Sequence, residues 1–387
     1  MKHPHLFTME RPVNGIEPDT FANPSAFQPL PAPTGKPPFH LDIKTIISPA
    51  AYNALARSKK IIFQTAGDTG GVHNPADQQI VADHMEWEFD KQQPANSPSF
   101  FYHLGDIVYY FGKASGYSTQ FYEPYKFYPA PIVGIPGNHD GNVDPTDPTR
   151  PKSLAAFMRL FCSEFPMIAP ESLADDALRT TMVQPNPYWT FVTPVANMIG
   201  LYTNVPGGGE VGADQKKWFI SELKAANKER DSKALIVALH HPPYSMDGDI
   251  GASSKMQQLL DDSFAKAAAV PDIVLSGHVH NYQRFTRTMG NRQLPYIVAG
   301  AGGYWHLHGI TVQGKPVIKP PVKSSFKDVV FEKYSEDRHG FLTIEIDMGK
   351  KELTGKYMTV PRSQESWKAP SVLFDSFTVD LAKNKVK

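Results

Sequence analysis

The chain has 387 residues, 41% hydrophobic and 20% charged, and its 39 Lys+Arg balance 39 Asp+Glu to no formal net charge. That composition suits a globular protein that buries a full core in one large domain or two ordinary ones, and it argues against a basic nucleic-acid binder or an acidic tail. The single cysteine, Cys162, excludes an intramolecular disulfide framework and favours a reducing compartment.

The opening residues, MKHPHLFTMERPVNG, carry no apolar run of signal-peptide length, and no 18-residue apolar stretch occurs in the chain. The expectation is a cytoplasmic protein without a membrane span; a periplasmic or secreted one would follow if the N-terminus is incomplete. Pro4, Pro12, Pro18, Pro24, Pro29, Pro31, Pro33, Pro37 and Pro38 crowd the first forty positions. Proline lacks a donor and disfavours helix in its predecessor, so residues 1–58 read as a loose or wrapping arm ahead of a domain over 59–387.

From Lys60 to Thr65 a β-branched run predicts a buried strand, and Asp77 to Gln92 carries Ile80, Val81, Met85 and Phe89 at helical spacing. Ser99–Leu104 and Ile132–Ile135 read as strands, Leu154–Phe161 as a helix, and Tyr188–Val192 with Met198–Tyr202 as paired strands of a second sheet. A helix is predicted over Asp214–Arg230, with Asp214 as its cap and Trp218, Phe219, Leu223 and Ala226 as its apolar stripe. Ala234–Leu239 and Asp272–Leu275 are apolar strands on either side of a helix over Ser253–Ala268. Tyr296–Ala299, Phe341–Ile346, Leu353–Val360 and Phe374–Val379 close the chain as further strands. Strand–helix alternation followed by a strand-rich end predicts an α/β domain in layers, with two sheets face to face and helices outside.

Five short polar clusters sit at or just after the ends of predicted strands. They are Gly67-Asp68-Thr69-Gly70, Gly105-Asp106-Ile107-Val108-Tyr109, Gly137-Asn138-His139-Asp140, Val237-Ala238-Leu239-His240 and Gly277-His278-Val279-His280. Strand carboxyl ends in α/β sheets converge on one crevice, where loops supply functional side chains. Asp, Asn, His and Tyr together offer oxygen and nitrogen donors that suit Fe, Mn or Zn rather than calcium. No Cys-x-x-Cys pair and no His-Glu-x-x-His helix competes for that role.

In this order the clusters resemble the calcineurin-like metallophosphoesterase superfamily, and within it the purple acid phosphatase branch. The branch shows in Gly-Asp-Thr-Gly, where the wider superfamily has Asp-x-His, and in a tyrosine three residues after Asp106. It shows again in the run Gly277 to Arg284, in His240-His241-Pro242-Pro243-Tyr244-Ser245 and in Gly300-Ala301-Gly302-Gly303. The resemblance covers about residues 59–305. It implies a four-layer αββα sandwich with two facing mixed β-sheets, and two metal ions bridged by Asp106. One ion would take Asp68, Tyr109 and His280; the other would take Asn138, His240 and His278. A phenolate is a hard anionic donor that favours Fe(III), whereas Asn and two imidazoles suit divalent Fe, Zn or Mn.

The activity so implied is acid phosphatase-like hydrolysis of small phosphate monoesters by metal-activated hydroxide, with no nucleic-acid polymer and no membrane as partner. His139 is the expected aid to the phosphoryl or leaving group, with Asp140 orienting it through a hydrogen bond. The alternatives are a phosphodiesterase acting on cyclic nucleotides or other small diesters, and a non-catalytic regulatory module that kept the metals. In one respect the chain departs from the branch: Met246 to Ser276 holds no histidine to assist the leaving group. His73, His241, His306 and His308 are the candidates to stand in. Arg284 reads as a structural ion-pair residue. Gly207 to Gly212 matches a dinucleotide fingerprint only by letter, because an acidic residue lies within it.

Overall fold

Alternation along the buried strands decides the architecture. In the strand Ala234–Leu239, Ile236 and Ala238 point into one apolar cluster while Leu235, Val237 and Leu239 point into another. A strand sends successive side chains to opposite faces, so a strand apolar on both needs a layer on each side. The computed structural model describes residues 27, 29–90, 92–149, 151–172, 179–248, 250–310 and 318–387.

In chain order the first strands are β1 (His40–Asp42), β2 (Lys60–Ala66), β3 (Phe101–His103), β4 (Ile132–Gly134), β5 (Trp189–Val192) and β6 (Ala196–Gly200). A two-residue pair, β7 (Asn204–Val205) and β8 (Glu210–Val211), precedes β9 (Ala234–Leu239), β10 (Ile273–Ser276), β11 (Tyr282–Met289) and β12 (Arg292–Ala299). The last are β13 (Val322–Lys323), β14 (Val329–Ser335), β15 (Gly340–Asp347), β16 (Glu352–Thr359), β17 (Val372–Asp380) and β18 (Lys385–Val386). One mixed sheet runs β18-β17-β16-β15-β2-β3-β4 and the other β1-β5-β6-β9-β10-β12-β11-β14-β13.

Between the sheets Phe63, Tyr102, Val133, Leu342, Ile344 and Ile346 meet Trp189, Phe191, Met198, Ile236 and Leu275. Outside the larger sheet lie helices over Ala213–Asn227 and Ser254–Ala267, which bury Phe219, Leu223, Leu260 and Phe264 against it. Outside the smaller sheet, helices over Pro75–Trp87 and Ala155–Phe161 bury Val81, Met85, Phe157 and Leu160. The layers are therefore αββα, as expected.

The segment before Lys59 carries structure of its own. β1 adds to β5 in parallel, Pro49–Ser58 is a helix capped by Ser48, and the amides of Thr34 and Gly35 donate to the Pro185 carbonyl. The rest of the expected arm, residues 1–26 and 28, lies outside the described residues. Two long strands, β11 and β14, were not foreseen, nor were the two-residue strands β7, β8, β13 and β18. Asp214 is not the cap predicted for its helix. Gly212 occupies the cap position without a side-chain bond, and Asp214 stands in the first turn, where its charge complements the helix dipole. Arg284 forms a two-bond ion pair with Asp375, at 2.7 and 3.1 Å, which ties β11 to β17 across the sandwich. Within Gly207–Gly212, the glycines at 207–209 turn the chain between β7 and β8, Glu210–Val211 form β8, and Gly212 enters the following helix. Among the described residues no helix is long and apolar enough to cross a membrane.

Ile344 is fully buried between the sheets. Ile344→Ala is expected to cost about 2–5 kcal/mol through lost transfer energy and a residual cavity. It should read as a lower urea midpoint with an unchanged slope.

Candidate metal centre

Parallel strands from both sheets end at the same place. Asp68 follows β2, Asp106 follows β3 and Asn138 follows β4, while His240 follows β9 and His278 and His280 follow β10. Asp68, Asp106 and His278 hold left-handed backbone, at φ 57°, 53° and 71°. That region is uncommon for residues with a side chain and is concentrated at functional sites. Close approach also needs glycine here: a methyl group on Gly137 would stand 2.1 Å from Asp106 Oδ1, and one on Gly277 2.6 Å from Asp68 Oδ2.

The outer atoms of each donor are occupied by the backbone, which turns the remaining atoms inward. Asp106 Oδ1 accepts from the His139 amide and Asp68 Oδ2 from the His278 amide, both at 2.8 Å. Imidazole Nδ1 of His240 donates to the Leu104 carbonyl at 2.8 Å, and that of His280 to the His306 carbonyl at 3.1 Å. A carbonyl accepts only, so these bonds fix the tautomer and leave the Nε2 lone pairs pointing into the cluster.

Two groups of donors result. The Tyr109 hydroxyl lies 3.3 Å from Asp106 Oδ2 and 3.4 Å from both Asp68 Oδ1 and His280 Nε2. His240 Nε2 lies 3.2 Å from Asp106 Oδ2 and 3.1 Å from Asn138 Oδ1. Asp106, His240 and His278 have donor atoms within 4.8 Å of one another. Asp106 Oδ2 belongs to both groups. Donors about 2.1 Å from a shared cation stand roughly 3 Å apart when adjacent in the coordination shell. The phenol's three contacts are long for O–H bonds but suit that arrangement. The donor set therefore fits a pair of cations.

Charge points the same way. Burial pushes the Asp68 carboxyl well above the usual range, with Asp106 adding to the rise against the pull of His240. Asp106 is driven the other way: against burial, His240, His139 and His278 hold it below the usual carboxylate range. Against burial, Asp106 lifts His240 to about 9. Burial first, then Asp106 and Asp68, pushes the Tyr109 phenol up. Buried anions this close ionise together only when positive charge sits among them.

His139 is buried, with its ring 4.4 Å from that of Tyr109 and its Nδ1 2.8 Å from the Tyr110 carbonyl. Asp140 does something different from the expected orientation of His139. Its carboxylate accepts from the amides of Gly137 (2.8 Å), Ile107 (3.1 Å) and Val108 (3.3 Å). As the third residue of the turn over Asn138–Gly141 it reaches back to that turn's start, and so fastens the Asn138 loop to the Asp106 loop. Of the histidines considered for the leaving group, His241 bonds Thr203 Oγ1 at 2.7 Å beside His278, and His308 lies 4.3 Å from the His280 ring. His73 is exposed against Trp305, and His306 serves His280 through its carbonyl.

The sequence reading missed an amide clamp. Gln120 accepts from the Tyr109 amide at 2.8 Å and donates to the Tyr109 carbonyl at 3.0 Å. Gln78 donates to the Gln120 carbonyl at 2.6 Å and accepts from the Gly71 amide at 2.9 Å. Gln120 carries no sequence signal. Gln78 carries a weak one, because it occupies an inward position three and seven residues before Val81 and Met85. Gln120→Leu would strand two buried backbone groups and should lower stability by about 2–6 kcal/mol in urea melts. The same variant should retain less metal than the native chain after dialysis.

A calcineurin-like phosphoesterase family model matches residues 66–282, more than half of the chain. Purple acid phosphatase 21 of Arabidopsis thaliana is 32% identical over 111 residues, 27% of this chain and 24% of that protein. Purple acid phosphatase 22 of the same plant is 29% identical over 140 residues, 35% of this chain and 30% of that protein. The matched stretches thus span about a quarter to a third of these relatives' length. Among solved structures, GAP50, the anchor in the inner membrane complex of Plasmodium, superposes with a TM-score of 0.53 at 16% identity, over 82% of this chain and 87% of that one. PhoD superposes at 0.50 and 12% identity, over 85% and 71%. Both likenesses concern the fold. The chain belongs to the calcineurin-like phosphoesterase family, and the curated proteins it is similar to over part of its length are purple acid phosphatases.

Proposed function

We propose that the chain is a metal-dependent phosphoesterase that hydrolyses small phosphate monoesters at a dinuclear centre. The observation that carries this reading is Asp106 Oδ2, shared by two inward-facing donor groups. When bound, a cation pair would neutralise ester oxygens and make water acidic enough to attack phosphorus near neutral pH.

The chain's own residues divide the remaining work. Asp68, Tyr109 and His280 would hold the first ion, Asn138, His240 and His278 the second, and Asp106 both. A phenolate donor on one side and neutral amide and imidazole donors on the other favour Fe(III) beside divalent Fe, Zn or Mn. Because the Tyr110 carbonyl engages Nδ1 of His139, Nε2 is the nitrogen through which that ring would reach the phosphoryl or leaving oxygen. Asp140 acts through the backbone by setting the spacing of the Asp106 and Asn138 loops. A module that kept the fold without the chemistry would be free to lose donors, and none of the seven is missing.

Metal-loaded protein is expected to cleave 4-nitrophenyl phosphate in preference to its diester, to lose activity on chelation and to regain it on metal return. Asp106→Asn should reduce kcat/KM about 100-fold or more. Preferential cleavage of the diester would overturn the monoester reading, and protein that binds no metal and cleaves neither ester would sink the whole proposal. Iron-loaded protein should also show a tyrosinate charge-transfer band in the visible that is absent from Tyr109→Phe. A colourless, iron-free active enzyme would reject Fe(III) in favour of Zn or Mn.

A further inference from the structure

Beside the donor cluster stands a run of rings that metal binding does not use. Tyr304 is buried, with its ring 4.2 Å from that of Tyr109 and 4.4 Å from that of His280. Its neighbour Trp305 is 39% exposed, 6.2 Å from Tyr304 and 5.2 Å from the exposed His306. His73 closes the loop that carries Asp68; it is exposed and meets Trp305 edge-on at 5.1 Å and 74°. Tyr110 is half-buried, 6.1 Å from His73 and 6.2 Å from His139. Two ring spacings therefore lead from Tyr109 to an indole open to solvent.

Burial closes the floor of the cluster, so a phosphate seated on the inward donors must direct its ester group outward. Trp305 and His73, both exposed, and half-buried Tyr110 stand in ring contact beside the donors and offer π-faces and edges there rather than a carboxylate, ammonium or guanidinium. Such a wall adds little for a small polar alcohol. It favours a flat ring, which stacks or meets rings edge-on. Stacking of this kind tolerates different ring identities, since every base or aryl group has a π-face.

We infer that Trp305, His73 and Tyr110 form a leaving-group subsite for planar aromatic rings, so that phosphomonoesters carrying a nucleobase or aryl group are the preferred substrates. The inference rests on the phosphoesterase reading and names the substrate class of the same site. The reaction is hydrolysis alone. The phosphorus–oxygen bond to the leaving group breaks, a bond from phosphorus to the oxygen of water forms, and the leaving oxygen ends protonated.

The test compares adenosine 5′-monophosphate with ribose 5-phosphate, which share a primary alkoxide leaving group and differ by the base. With metal-loaded full-length protein, kcat/KM should favour the nucleotide by about tenfold or more, a factor typical of one stacked base. Trp305→Ala should bring that ratio to within about twofold, and His73→Ala should lower it as well. The ratio cancels any general effect of a substitution on folding or metal content. Equal kcat/KM for the two substrates, or a preference that survives Trp305→Ala, would overturn the subsite. Calorimetric titration of the same two compounds separates this failure from failure of the parent reading. Tighter binding of the nucleotide that is lost in Trp305→Ala, with neither compound hydrolysed, supports the ring contact and rejects the phosphoesterase. Equal binding rejects the subsite whatever the turnover.

Discussion

The carboxylate of Asp106 is the constraint on which the site depends, because both halves of the sandwich meet there. The smaller sheet contributes Asp68, Asp106 and Asn138; the larger contributes His240, His278 and His280. Neither sheet holds a complete donor group by itself. His240 donates to the Leu104 carbonyl and Gly67 to the Ala299 carbonyl, so backbone and imidazole bonds span the seam where the donors lie. Closing the hydrophobic interior and assembling the donors are one event. The apolar burial that closes the interior also offsets the cost of burying two carboxylates side by side.

Rigidity at this seam comes from bonds that look incidental in isolation. The second oxygen of each aspartate, the second nitrogen of His240 and His280, and both amide groups of Gln120 are all taken by backbone. Each such bond removes a rotation that would let a donor turn away. Left-handed backbone at Asp68, Asp106 and His278 belongs to the same pattern, since local strain is tolerated where surrounding contacts over-determine the conformation. A cluster held in this way needs little reorganisation when it receives charge.

Much of this was legible in the sequence, and the reasons differ by element. Parallel strands such as Ala234–Leu239 are buried on both faces and read as unbroken apolar runs. Strand-end glycines beside Asp, Asn and His marked the turns. Tyr282–Met289 was harder to see: its Gln283, Arg284, Thr286 and Arg287 dilute the pattern, and the partners of Gln283, Arg284 and Arg287 lie far along the chain in Ser245, Asp375 and Asp261. Asp214 shows a limit on boundaries, because a capping residue type one position inside a helix cannot cap it. Asp140 and Gln120 show a limit on roles. Both act on the backbone of residues distant in space, and no spacing rule encodes that.

The missing histidine between Met246 and Ser276 is best understood through the loop after β12. That loop supplies Tyr304 against Tyr109, the His306 carbonyl for His280, and His308 beside the same ring. In the departing stretch, Asp247 lies 3.6 Å from His308 Nδ1, so the two segments meet. The donor loops are bound by backbone hydrogen bonds and close glycine contacts, which leave little room for change. The loop carrying Trp305 and His306 is exposed at those two positions and meets the centre from outside. A division of labour is proposed on that asymmetry: the strand ends would fix where phosphorus sits, and the outer loop would face the group attached to it.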